Sequence, residues 1–358
     1  MYRIFIVVHR WIALITAAFL VVIALSGSLL VLEGPVSRAQ QLRVAPSGEP
    51  LSLDTLAARA RAASGGGTVD GLGLGDSPDL AWYVSLRPLA DGRGGASVAL
   101  DPYTGAVITE PIAPAPAAKF IRNVHLLHTR LLGGNTGRTV VAITTLAAFA
   151  LVLSGVFIWW RDKLWRVSTQ ASWKRINFDL HHSLGIFSSV VLLVITGTGI
   201  WVHYDRLDDV MRKLNRAPTP PPPLTEPGQR GGDSDSLVIP LDSLAHVARL
   251  AVPGAAIMNM QLPSGPRPAM VQLKYPEDHT PAGRSRVYVD KHRGTVLLAM
   301  STRTAEPGQH MIDIKRALHT GDIYGWPTRL LWALACLVLA AQTVTGVLMW
   351  WNAKRRMI

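Results

Sequence analysis

Residues 9–27 read HRWIALITAAFLVVIALSG and residues 181–199 read HHSLGIFSSVVLLVITGTG. Each begins at a histidine, His9 or His181, and closes 18 residues later on the glycine of a small-residue step, Ser26-Gly27 or Thr198-Gly199. The uncharged runs they belong to, about 11–32 and 183–202, are long enough to cross a hydrocarbon layer about 30 Å thick. Two further runs, about 139–160 and 330–351, repeat one another as well. His128-Thr129 is followed by Arg138 at +10, Gly155 at +27 and Trp159-Trp160 at +31 and +32; His319-Thr320 is followed by Arg329, Gly346 and Trp350-Trp351 at those same offsets. The chain is a duplication whose unit is span, extramembrane segment, span. Parallel repeats of this kind are related by a pseudo-twofold axis along the membrane normal, which sets equivalent residues opposite one another at equal depth.

Composition agrees. Of 358 residues 49% are hydrophobic and 17% charged, against about 25% charged in soluble domains, which excludes a soluble enzyme. The first run follows Arg3 and Arg10 like a signal peptide, but about 22 apolar residues exceed the usual 7–15-residue apolar region, and Ser37-Arg38-Ala39 is a poor cleavage site, so it reads as a retained helix. The net charge of +12 is concentrated beside the spans: residues 1–10, 161–182 and 352–358 hold ten Lys and Arg against Asp162 and Asp179. Basic residues so placed orient a membrane protein rather than bind nucleic acid, and put both termini and the 161–182 loop in the cytoplasm. The lone Cys336 excludes a disulfide framework and a cysteine metal cluster.

The expected architecture is a membrane all-α four-helix bundle of two parallel repeats with two small α+β extramembrane domains. Its segments are a first span (1–32), an outer domain (33–120), a second span with its outer approach (121–160), a cytoplasmic loop (161–182), a third span (183–204), a Pro-rich linker and second outer domain (205–315), a fourth span with its outer approach (316–351) and a cytoplasmic tail (352–358). The outer domains also correspond: Leu53-Asp54-Thr55-Leu56-Ala57 matches Leu241-Asp242-Ser243-Leu244-Ala245, and Asp101-Pro102-Tyr103-Thr104-Gly105 matches Asp290-Lys291-His292-Arg293-Gly294. Each reads as a helix (51–63; 241–251), short alternating strands such as 82–86 and 270–274, and a hairpin at Asp-x-x-x-Gly, where Gly supplies a positive φ. Residues 217–228 form a stiff, Pro-rich connector.

Histidines mark the spans: His9, His125, His128, His181, His182, His203 and His319. Any one alone reads as an interfacial imidazole bonded to water or headgroups. Four at repeat-equivalent positions read differently, because ionisable groups near spans are costly and face the bundle interior. From His128 to Trp159 is 31 residues, about 46 Å of helix, longer than one crossing. The Gly133–Gly137 stretch, and 321–327 in the second repeat, are expected to break it, leaving His128 and His319 near the outer edge and His9 and His181 near the inner. Two symmetric imidazole pairs, His9 with His181 and His128 with His319, suit two b-type haems, each iron taking one nitrogen from each of two helices. His125, His182 and His203 are the weaker ligand candidates. His125-x-x-His128 shares a helix face and suits a divalent metal, but has no carboxylate near in sequence. The Ser/Thr-Gly steps are most simply sites of close helix packing, and otherwise admit a flat macrocycle. Arg138 and Arg329 suit haem propionates or lipid phosphate equally, and the Trp pairs an interfacial belt. Gly71-Leu72-Gly73-Leu74-Gly75 lacks a following helix and is no dinucleotide fingerprint; no Ser-nucleophile motif, P-loop or flavin site is present.

His9-Arg10-Trp11, Leu127-His128 with Gly137-Arg138, Asp179-Leu180-His181 with Gly185, and Leu318-His319-Thr320-Gly321 together resemble the PepSY-associated transmembrane family, and the Asp101–Gly105 hairpin resembles the PepSY module. The resemblance covers nearly the whole chain. Two departures stand out: Asp290-Lys291-His292-Arg293-Gly294 replaces Asp-Pro-x-Thr-Gly, and His182 stands where Arg is more usual, leaving the third-span ligand open between His181 and His182. The resemblance implies an inner-membrane, haem-containing reductase with two haem b. Electrons from a cytoplasmic or quinol donor would reach ferric iron in a siderophore or another ferric chelate on the periplasmic side, where the PepSY-like domains would lie. The alternative is a non-catalytic siderophore-uptake transporter or a PepSY regulatory or binding membrane protein.

Overall fold

The computed structural model describes residues 2–89, 95–108, 116–204, 206–215, 239–265 and 267–354. In chain order the helices are α1 (Tyr2–Leu29), α2 (Glu33–Ala39), α3 (Leu53–Ala63), α4 (Pro116–Arg130), α5 (Gly134–Asp162), α6 (Trp173–His203), α7 (Arg206–Asn215), α8 (Leu241–Ala251), α9 (Pro307–Thr320) and α10 (Trp326–Lys354). The strands are β1 (Thr68–Gly73), β2 (Trp82–Arg87), β3 (Ser97–Leu100), β4 (Ala256–Gln261), β5 (Ala269–Lys274), β6 (Ser285–Val289) and β7 (Val296–Met300). The Pro-rich stretch 217–228 and most of the 352–358 tail lie outside the described residues. Two compact units result: 1–39, 114–209 and 314–358 make the first, 40–113 and 210–313 the second.

In the first unit four helices, those carrying the apolar runs, are long and apolar enough to cross a membrane. Helices α5, α6 and α10 extend past both ends of their runs and α1 past the start of its own, because hydropathy marks where hydrocarbon ends and not where the backbone stops coiling. The 161–182 segment shows this: α5 ends at Lys163, which takes the left-handed C-cap conformation, and α6 already begins at Trp173 after Ser172. His181 and His182 are therefore helical. Helix α1 packs against α5 and α10, and α6 packs against the same two, so repeat-equivalent helices sit diagonally in a closed ring. Ile15, Val190 and Leu330 stay exposed on these helices, as lipid-facing side chains do.

The break before each second span is real and is made by backbone geometry. Helix α4 ends at Arg130, Leu131 and Leu132 have positive φ, and α5 restarts at Gly134. A Cβ on Gly137 would lie 1.7 Å from the Arg130 carbonyl oxygen, so only glycine lets α5 leave so close to the end of α4. In the second repeat Gly321, with φ of 77°, starts the turn between α9 and α10.

The second unit differs from the sequence expectation in one respect. The two extramembrane segments, read as separate modules, share one antiparallel seven-stranded sheet in the order β3-β2-β1-β4-β5-β6-β7. They join at β1 and β4, where Gly71 faces Gln261, Leu72 faces Met260 and Gly73 faces Asn259. The joint is centred on the buried Leu72 and Met260. Leu56, Leu244, Val271 and Leu273 are buried with them in one core, each contributing roughly 1.5–3 kcal/mol. Helices α3 and α8 cap each other: Asp242 accepts from the Leu53 and Asp54 N–H at 2.9 and 3.1 Å, and Asp54 accepts from the Leu241 and Asp242 N–H at 2.9 and 3.1 Å. Each carboxylate thus satisfies unpaired donors at the opposite helix N-terminus.

The Asp-x-x-x-Gly turns are the same in both halves despite their different middles. Asp101 accepts from the Tyr103 and Thr104 N–H, and Asp290 from the His292 and Arg293 N–H. Gly105 and Gly294 close the turns with φ of 66° and 71°. The aspartate and the glycine are common to both turns, and in the first Thr104 Oγ1 also accepts from the Ala106 N–H at 3.2 Å.

Candidate functional site

The four repeat-equivalent histidines project into the first unit from four helices, and each meets the small-residue step of a neighbouring one. His128 on α4 donates from Nδ1 to the Ile23 carbonyl at 2.9 Å, with Ser26 Oγ 3.4 Å away. His319 on α9 donates from Nδ1 to the Ile195 carbonyl at 3.0 Å, with Thr198 Oγ1 3.3 Å away. His9 Nδ1 lies 2.8 Å from Ser154 Oγ, and His181 Nδ1 lies 3.0 Å from Thr345 Oγ1.

These partners fix the tautomers. A carbonyl only accepts, so Nδ1 carries the proton in His128 and His319. Ser154 gives its hydroxyl proton to Ala150 O at 2.8 Å, and Thr345 gives its own to Gln342 O at 3.0 Å. Both hydroxyls therefore accept from the imidazole, and Nδ1 is again the donor. All four rings keep Nε2 unprotonated with its lone pair available, the state a metal-ligating histidine needs.

At three of the four steps the glycine makes room for the ring, and at Gly155 the contact is an ordinary one. A Cβ on Gly27 would lie 2.9 Å from His128 Cε1, on Gly199 3.1 Å from His319 Cε1, on Gly346 3.2 Å from His181 Cε1 and on Gly155 3.6 Å from His9 Cε1. An imidazole from another helix approaches each of these steps, and close helix packing accompanies it: a Cβ would also lie 3.2 Å from Thr145 Cγ2 at Gly199 and 3.6 Å from Cys336 Sγ at Gly27. Sequence reasoning noted the 18-residue spacing but missed that each step serves a histidine of the neighbouring span in its own repeat.

The His128 and His319 rings, one from each repeat, have centroids 6.3 Å apart and planes 38° from parallel. Two imidazoles bound trans to one metal through nitrogens about 2.0–2.1 Å away have centroids about 6 Å apart. At the other level the His181 and His182 rings, adjacent on α6, have centroids 6.0 Å apart. Among the described residues no three His, Cys, Asp or Glu gather around a bare metal ion. The spacing of His128 and His319 fits two ligands of a metal whose remaining ligands come from a macrocycle.

The weaker candidates are placed differently. His182 donates from Nδ1 to Phe178 O on its own helix at 3.0 Å and stacks on the Phe178 ring, centroids 4.1 Å apart, without meeting a small-residue step. His203 lies at the end of α6, where its carbonyl accepts from Arg138 at 3.1 Å. His125 Nδ1 lies 3.1 Å from Glu33 Oε1, a carboxylate 92 residues away in sequence. Arg329 pairs with Asp322 and lies against Gly34, so both span arginines reach toward the end of a neighbouring span. Trp159, read as part of an interfacial belt, is instead buried and donates to Leu164 O, while Trp160 and Trp351 are exposed.

A family model described as the PepSY-associated TM region matches residues 6–353. None of the curated proteins compared with the chain matches it.

Proposed function

The chain belongs to the PepSY-associated transmembrane family, and on that premise we propose that it is a di-haem b reductase of the bacterial inner membrane. It carries electrons from a cytoplasmic or quinol donor to ferric iron held by a siderophore or another ferric chelate on the periplasmic side. One observation carries the reading: four imidazoles at repeat-equivalent positions, all with Nδ1 engaged and Nε2 available, the outer two with centroids 6.3 Å apart. Under it His9 and His181 hold the inner haem, and His128 and His319 the outer. His181 is favoured over His182 because it alone meets a Thr-Gly step, Thr345-Gly346.

Haem held there would supply a one-electron iron couple at each level, with His9 and His181 or His128 and His319 as the residues that hold it. The protein's part is positional. Ile23, Ser154, Ile195 and Thr345 hold the imidazole tautomers and make the ligating nitrogens more basic. Gly27, Gly199 and Gly346 let the rings stand close to the helices. The basic flanks, Arg10, Arg161, Lys163, Arg166, Lys174 and Arg175 among them, support a cytoplasmic placement of both termini, and the second unit then faces the periplasm. Outward electron movement is favoured by about 2.3 kcal/mol per 100 mV in a negative-inside cell. Reduction releases the metal because hard oxygen chelators hold Fe(II) far less tightly than Fe(III).

A reduced-minus-oxidised spectrum with haem quantification tests the reading. Two haems per chain are expected, with His319→Ala removing one and leaving the other reducible by dithionite. Protein purified after haem-supplemented expression without a Soret band would refute the reductase and leave a transporter or binding protein.

A further inference from the structure

The histidine that sequence analysis set aside for want of a carboxylate has one in the fold. His125 lies one turn from His128 on α4, and Glu33, at the start of α2, brings Oε1 to 3.1 Å from its Nδ1. Both side chains are about two-fifths exposed, His125 38% and Glu33 43%, so neither is sealed inside the bundle. Two ligands cis on an octahedral metal, each about 2.1 Å from it, are about 3.0 Å apart. A metal could replace the shared proton with little movement of either side chain. The pair also belongs to one repeat only: the position equivalent to His125, 191 residues on, is Arg316. Bundle symmetry therefore does not require it.

We propose that Glu33 and His125 form a cation site that receives divalent iron beside the outer histidine pair. The metal takes the place of the proton between Nδ1 and Oε1, which passes to His125 Nε2 or to water, and water or the departing chelate's oxygens fill the other coordination positions. That the ion is Fe(II), the product, rests on the reductase reading; the site itself does not. Mixed imidazole and carboxylate donors suit Fe(II) better than an all-oxygen chelate suits it. Only two protein ligands, with the Arg316 charge acting on Glu33, make the site weak, as transit requires.

Co(II), similar in size to Fe(II) and not reduced by the protein, is the probe. Tag-free, haem-loaded full-length protein in detergent is titrated with Co(II) by calorimetry. One weak site is expected, with Kd raised about tenfold or more in Glu33→Gln and in His125→Ala and unchanged in His292→Ala. Glu33→Asp should lose less than Glu33→Gln, and unchanged Soret bands and melting in all variants show that the fold persists. No Co(II) uptake at millimolar concentration, or Kd within twofold of the parent in both Glu33→Gln and His125→Ala, overturns the proposal. Absence of haem would defeat the reductase reading alone, since the Co(II) titration still reports on Glu33 and His125.

Discussion

Gly27→Ala isolates the cradle from everything else the glycine does. The new methyl carbon would stand 2.9 Å from His128 Cε1, where carbon atoms rest comfortably at about 3.5–4.0 Å, an overlap of about 0.6 Å. Retreat of the ring by that much takes its Nδ1 bond to Ile23, now 2.9 Å, past the useful limit of about 3.2 Å. A buried donor left without its partner costs about 1–3 kcal/mol, which at 1.4 kcal/mol per decade is roughly five- to 150-fold in haem affinity at the outer level. The helix itself should gain, because Ala is better than Gly in a helix interior by about 1 kcal/mol. Gly155→Ala is the internal control: its Cβ would stand at an ordinary 3.6 Å from His9 Cε1. After full haem loading and challenge with a competing haem acceptor, pyridine haemochrome assay should find about one haem per chain in Gly27→Ala, two in Gly155→Ala, and no loss of helix by circular dichroism in either. If both variants keep two haems with unshifted midpoint potentials, or Gly155→Ala is the worse, the glycines do not serve the rings.

Two further variants test the scaffold. Burial opposes ionisation of Asp242, but the Leu53 and Asp54 N–H groups outweigh it and hold its carboxyl below the ordinary range; this stabilisation is full above the unfolded value of about 3.9 and fades as pH falls through the lower folded value. Asp242→Asn should cost about 1–3 kcal/mol at pH 7 and progressively less as the pH is lowered below about 3.9, read as the gap between thermal melts of variant and parent at each pH. Gly137→Ala places a Cβ 1.7 Å from a backbone oxygen, which no side-chain movement relieves, so expression of folded protein should collapse; normal yield and melting would show that the turn between α4 and α5 is not built as described.

The spans and the duplication were legible because hydropathy and spacing are properties of the chain in one dimension. The four histidines stood out for the same reason, by recurring at fixed offsets. What the rings bind was not legible, because Ile23, Ser154, Ile195 and Thr345 become their partners only once the helices have neighbours. Glu33 was hidden from His125 by 92 residues. The joint between β1 and β4 has no sequence signature, since an edge strand looks the same whether it ends a sheet or continues one. Trp159 misled because a Trp pair at a span end suggests an interface, while its burial depends on the turn at Lys163 and the Leu164 carbonyl.

The joint centred on Leu72 and Met260 has the form of an isologous contact: Gly71 meets Gln261 just as Gly73 meets Asn259, and Asp54 does for α8 what Asp242 does for α3. Surfaces of this kind are what two identical subunits present to each other across a twofold axis. Half of this chain has the contact set of one subunit in a symmetric dimer, and joining the halves in one polypeptide removes the constraint that both remain alike. Once fused, one copy can hold His125 while the other carries Arg316, so the two sides of a symmetric scaffold can acquire different chemistry without disturbing the contacts that hold them together.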